Sequence, residues 1–80
     1  MREAERIQME IQKVIESDPT IQDARRILVS VEKQGIFKGG REIVTLNGSV
    51  RSESDKAKAD RIAHLHSAGR EVKDSIAVVS

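Results

Sequence analysis

The sequence predicts a single α+β domain spanning residues 1–80, with two helices packed on one face of a three-stranded mixed sheet in the order α-β-β-α-β. Three observations carry this reading. Apolar residues recur at helical spacing near the N-terminus and again between residues 53 and 67. Three other stretches alternate with period two, and a glycine-rich segment separates the first two of them.

Residues 2–16 form the first predicted helix, because Ile7, Ile11, Val14 and Ile15 fall at i, i+4, i+7 and i+8 while Arg and Glu fill the other face. Ser17-Asp18-Pro19 ends it, since the residue before a proline is pushed out of the α region. Residues 20–26 fit a short helical turn or a loop. From Ile27 to Glu32, Ile27, Val29 and Val31 alternate with Leu28, Ser30 and Glu32, which predicts a strand with one wholly apolar face. Gly35-Ile36-Phe37-Lys38-Gly39-Gly40-Arg41 carries three glycines in seven residues and is expected to be a long hairpin loop. Ile43 to Val50 is the second strand, with Val44, Leu46 and Val50 on one face and Thr45 and Asn47 on the other. At Gly48 a side chain is expected to crowd the helix lying on the sheet.

Ser52-Glu53-Ser54-Asp55 reads as a helix start in which Ser52 accepts from the Asp55 amide and the Asp55 carboxylate reaches back, a capping box. The helix runs to about Ser67, with Ala59, Ile62, Ala63 and His66 on one stripe and Leu65 beside it, and Ala68-Gly69 stops it. Val72, Ile76 and Val78 make the last strand. The closing β-α-β crossover should be right-handed. The sheet face away from the helices would show Leu28, Ser30, Glu32, Ile43, Thr45, Asn47, Lys73, Ser75, Ala77 and Val79.

Charge narrows the function classes. Fourteen basic residues against thirteen acidic give a net charge of +1, balanced in both halves of the chain, so neither half is a nucleic-acid arm or an acidic tail. No apolar run exceeds four residues, too short for a membrane-crossing helix or the core of a signal peptide. The chain as given is therefore expected in the cytoplasm; a domain cut from a longer exported protein would read the same and be periplasmic or membrane-associated. With no cysteine there is neither a disulfide framework nor a thiolate metal site.

Val44-Thr45-Leu46-Asn47-Gly48-Ser49-Val50 has the form apolar-x-Leu-x-Gly-x-Val. It is followed by Ser52, Asp55-Lys56, Ala59 and Ile62-Ala63 on the second helix and by Val72-Lys73-Asp74-Ser75-Ile76-Ala77-Val78 in the last strand. In order and spacing these resemble the BON domain, the small module named for bacterial osmotically inducible and nodulation proteins, with the core motif over about residues 27–79. The chain differs from that pattern in its longer Gly35–Glu42 connection, in Ala68-Gly69 after the second helix and in His66 at an apolar position. The resemblance implies a non-catalytic module that attaches to phospholipid membranes or to cell-envelope proteins, usually within a larger bacterial protein.

Phe37, the single aromatic residue, lies beside Ile36 and is flanked by Lys38 and Arg41, with Lys33 nearby. Apolar residues among cations suit a membrane interface, where the apolar pair inserts and each cation gains about 1 kcal/mol near anionic headgroups. The competing reading folds Phe37 back over the edge of the core. His64 and His66 are two positions apart on a helix and point to different faces, so they do not share a metal; His66 reads as a partly buried structural residue or as a pH-sensitive one. No metal or cofactor is expected.

Catalysis is not expected either: the chain lacks Cys, Tyr and Trp, and its serines have no histidine at a recognisable spacing. A KH-like nucleic-acid module is a second class, but it needs a Gly-x-x-Gly between helices, whereas Gly35, Gly39 and Gly40 lie between strands. Lys56, Lys58 and Arg61 are interrupted by Glu53, Asp55 and Asp60, so no nucleic-acid partner is expected. A third class is a protein-assembly module that self-associates through Leu28, Ile43 and Val79 or through an exposed edge strand.

Overall fold

The computed structural model describes residues 3–34 and 41–79, apart from the side chains of Gln34 and Arg41. Helix α1 spans Glu3–Glu16 and a short 3₁₀ turn covers Ala24–Arg26. Strands β1 (Ile27–Gln34) and β2 (Arg41–Val50) follow, then helix α2 (Glu53–His66) and strands β3 (Glu71–Asp74) and β4 (Ala77–Val78). The order is the α-β-β-α-β of the sequence reading, with the last strand in two pieces. Strand β2 is central: β1 pairs with it antiparallel on one side, and β3 and β4 pair with it parallel on the other.

Both helices cover the same face. Ile7, Ile11 and Ile15 from α1 and Ala59 and Ala63 from α2 join Ile27, Val29, Val44, Leu46, Val50 and Ile76 in one buried cluster. Each large aliphatic side chain so buried contributes about 1.5–3 kcal/mol. The small Ala59 and Ala63 let α2 lie close to the sheet, and Leu65, expected beside that stripe, points to solvent instead.

The strand limits differ from expectation, the first strand running on to Gln34 where Glu32 was its expected end. The second strand begins at Arg41, because Gln34–Arg41 and Lys33–Glu42 continue the antiparallel ladder beyond Ile43. The glycine-rich segment contributes only residues 35–40 to the connection, and these lie outside the described residues. The last strand pauses at Ser75-Ile76 without changing register: Ile43 faces Glu71 and Ser49 faces Ala77 at the same offset. The pause lies opposite Asn47-Gly48, where Gly48 has φ +110° and turns its peptide out of the regular strand. The Asp74 carboxylate accepts the Ile76 N–H there at 3.0 Å.

The reason for Gly48 also differs. A Cβ at this position would run into the Arg26 carbonyl oxygen, so the crowding comes from the main chain entering β1 and not from α1 or α2. Gly69, with φ +83° and open space around it, follows Ala68 (φ +55°) in the left-handed turn that ends α2.

Two polar side chains of the helices hold the main chain of the neighbouring elements. Ser52 caps α2 by accepting the Asp55 N–H at 3.1 Å, as expected. The Asp55 carboxylate does not reach back, however: buried against the α1–β1 connection, it accepts the Gln22 N–H at 3.3 Å. In α1, the Gln12 amide accepts the Val29 N–H at 2.9 Å and donates to the Ile27 carbonyl at 2.7 Å. It thereby does for the outer edge of β1 what a peptide group of another strand would do.

Candidate functional site

The β1–β2 ladder is unbroken from Ile27–Gly48 to Gln34–Arg41, so the sequence segment with Ile36, Phe37 and Lys38 joins two paired strand ends. Lys33 lies exposed at that end of β1, opposite Glu42. The main chain of Arg41 pairs with Gln34. Ile36, Phe37 and Lys38, with the Arg41 side chain, lie outside the described residues.

Beside this hairpin end, the largely buried guanidinium of Arg70 donates from Nε to Glu42 Oε1 at 2.9 Å and keeps Nη2 2.7 Å from the same oxygen. Its Nη2 also stands 3.9 Å from the Glu3 carboxylate at the start of α1. Arg70 thus ties the last strand, β2 and α1 together, and its charge is compensated within the fold.

The outer side of α1 carries a surface the sequence reading missed: an open groove of about 790 Å³ whose lining includes Arg6, Met9, Lys13 and Arg25. Met9 is 58% exposed. Among the described residues, Arg6, Lys13 and Arg25 have no carboxylate within 4 Å. The signal available in the sequence was Met9, an apolar residue lying off the Ile7–Ile11–Ile15 stripe.

The uncovered sheet face is less apolar than expected. Leu28 is 62% exposed on it and Val79, just past β4, is 47% exposed. Ile43, expected to be displayed for association, is only 4% exposed. It belongs to the central strand between Glu32 and Glu71, whose chains flank it on both sides, and it stands outside the helix-side cluster. Thr45 is buried likewise, and its hydroxyl has no partner among the described residues.

His66 sits half-buried in the seam between the helices, with Nδ1 3.7 Å from Glu10 of α1, while His64 faces Asp60 at 3.4 Å on the exposed side of α2. Lys58, one of the cations weighed for phosphate contact, donates to the Thr20 carbonyl at 3.5 Å. Among the described residues, no three His, Cys, Asp or Glu side chains are grouped to hold a metal, and no helix is long and apolar enough to cross a membrane. The Thr20 hydroxyl and then its N–H donate to the Asp18 carboxylate, holding it below the usual carboxylate range.

The arrangement offers binding surfaces: a two-stranded end with basic and apolar sequence, and a groove lined by Arg6, Lys13 and Arg25 together with Glu10 and Glu16. Compared with known families, the chain matches the model of the BON domain over residues 3–80. Neither a curated protein nor a solved structure matches it.

Proposed function

Taking as premise that this chain belongs to the BON domain family, we propose that it is a non-catalytic module that attaches to anionic phospholipid membranes of the cell envelope, hairpin end first. The observation that carries the reading is the β1–β2 ladder running to Gln34–Arg41. It brings Lys33 and the main chain of Arg41 to one end of the sheet, remote from Gly48, and the sequence between them carries Ile36, Phe37 and Lys38. Ile36 and Phe37 enter the interface, and Lys33, Lys38 and Arg41 meet headgroups. A net charge of +1 gives no long-range capture, so affinity is weak and local, as suits a module tethered within a larger assembly.

Flotation with vesicles of phosphatidylglycerol and phosphatidylcholine tests this. Phe37→Ser with Lys38→Glu should abolish co-flotation while leaving the melting temperature unchanged, and phosphatidylcholine alone should bind poorly. Loss of binding in Arg6→Glu with Lys13→Glu, and not in the hairpin variant, would move the contact to the α1 groove. Unchanged binding with lost stability in Phe37→Ser would return Phe37 to the core.

The 62% exposure of Leu28 favours a second reading, a protein partner on the uncovered sheet face. Leu28→Ser would then remove the interaction without affecting flotation.

A further inference from the structure

We propose that this chain pairs with a second copy of itself along the outer edge of β1, as an antiparallel two-fold dimer centred on Val31. The inference does not depend on lipid attachment.

Strand β1 is the edge of the sheet, and no strand among the described residues pairs with its outer side. The Val29 N–H points outward, because it is given to Gln12; alternation along the strand then turns the main-chain groups of Ile27, Val29, Val31 and Lys33 outward too. Gln12 occupies the first two positions, the Ile27 carbonyl and the Val29 N–H. The Val29 carbonyl, both main-chain groups of Val31 and the Lys33 N–H follow it along the same edge.

Helix α1 leaves this second half of the edge clear. It crosses the sheet diagonally, with Gln12 over the start of β1 and Glu3 beside Arg70, which grips Glu42 of β2. Val31 and Lys33 share the helix-side parity of Ile27 and Val29, yet Val31 is half-buried and Lys33 exposed.

The edge is self-complementary in one register. Main-chain bonding requires outward residues to meet outward residues, which leaves a short series of two-fold registers. Gln12 holds the Val29 N–H and the Ile27 carbonyl in every register, and a centre at Ser30 then keeps only two main-chain bonds between the copies. A centre at Glu32 sets Glu32 against Glu32, and one at Lys33 sets Lys33 against Lys33, like charges directly opposed. A centre at Val31 opposes no like charges and keeps four main-chain bonds, forgoing only the Val29 N–H that already belongs to Gln12. Val31 then exchanges both of its main-chain bonds with Val31 of the second copy, the Lys33 N–H meets the Val29 carbonyl of the second copy, and Glu32 faces its Ser30. An uncharged opposing residue at each charged position makes the second copy the occupant this edge fits.

Sedimentation velocity of the full chain over a concentration series, in lipid-free buffer, tests the register. A concentration-dependent dimer is expected for the unchanged protein. Ser30→Lys places a cation opposite Glu32 twice by symmetry and should tighten the dimer about tenfold, whereas Ser30→Glu should weaken it about as much. Val31→Pro removes an N–H that the β1–β2 ladder does not use and should leave a folded monomer. Melting curves by circular dichroism report folding; if Val31→Pro unfolds, the opposed shifts of the two Ser30 variants decide. A monomer at every concentration overturns the proposal. So does a dimer that both Ser30 variants shift alike, or one that Val79→Ser abolishes while the Ser30 variants do not move it.

Discussion

At the Gly48 end of the β1–β2 pair, main chain is held by main chain and by single polar side chains. The Arg26 carbonyl lies against Gly48, the Gln12 amide closes the start of β1, and the Asp55 and Asp74 carboxylates accept the Gln22 and Ile76 N–H groups; the Arg51–Asp23 ion pair beside them is exposed. At the opposite end, where the strands lead into the hairpin, the grip is ionic: Arg70 holds Glu42 and stands near Glu3, and Lys33 is exposed. Short-range contacts shielded from water are insensitive to salt and tolerate little change, whereas partly exposed ion pairs are worth about 0–1 kcal/mol and weaken as salt rises. The two ends therefore divide the work. The Gly48 end is held by contacts indifferent to salt, and the hairpin end, where we propose the membrane contact, by an ion pair that salt weakens.

Substitutions at the two ends should separate these physics. Gly48→Ala meets both a positive φ and the Arg26 carbonyl, and should lower stability by about 3 kcal/mol or more in a denaturant titration, at any salt. A small effect would mean that the β1 entry yields easily and the Gly48 end is not the rigid one. Gln12→Ala leaves the Val29 N–H and Ile27 carbonyl without their partner, at a cost of about 1–2 kcal/mol, and amide exchange at Val29 should accelerate. Arg70→Ala should cost about 1 kcal/mol at low salt and less at high salt, since Glu42 keeps access to water. A salt-independent loss at Arg70 would erase the contrast between the ends.

The smallest effect lies outside both ends. Thr20→Ala removes the hydroxyl that depresses Asp18, so the Asp18 pKa, followed by NMR, should rise part of the way to its ordinary value, the Thr20 N–H still donating. A depressed carboxylate stabilises the fold above its unfolded pKa and loses that contribution as pH falls through the folded one. The Asp18 share of the acid loss should accordingly be smaller in Thr20→Ala and be complete at a slightly higher pH, its onset unchanged.

What the sequence made legible were features encoded by neighbours in the chain: the Ile7–Ile11–Ile15 stripe, Ser52 as cap, the alternation of Ile27, Val29 and Val31, and the need for glycine at 48. The reason for that glycine was not legible, because Arg26 is 22 positions away and only the strand pairing brings its carbonyl there. Gln12 read as one more polar residue on a helix; its function depends on which edge of the sheet is open. Asp55 looked like half of a capping box, yet burial against the α1–β1 connection gives it a distant amide. Ile43 looked displayed by parity, but a central strand screens its residues with those of its neighbours. Of the candidate residues, Lys33 and the Arg41 main chain fall in paired strand ends and not in the loop expected for Arg41, while the α1 groove emerged only in three dimensions.

The most direct test of the account is an NMR titration of the ¹⁵N-labelled chain with phosphatidylglycerol-containing nanodiscs. Shift changes and broadening are expected only within residues 33–42, with the amides of Arg26, Gly48 and Val29 unmoved. Perturbations centred on the Gly48 end, or none at lipid concentrations that saturate flotation, would contradict it.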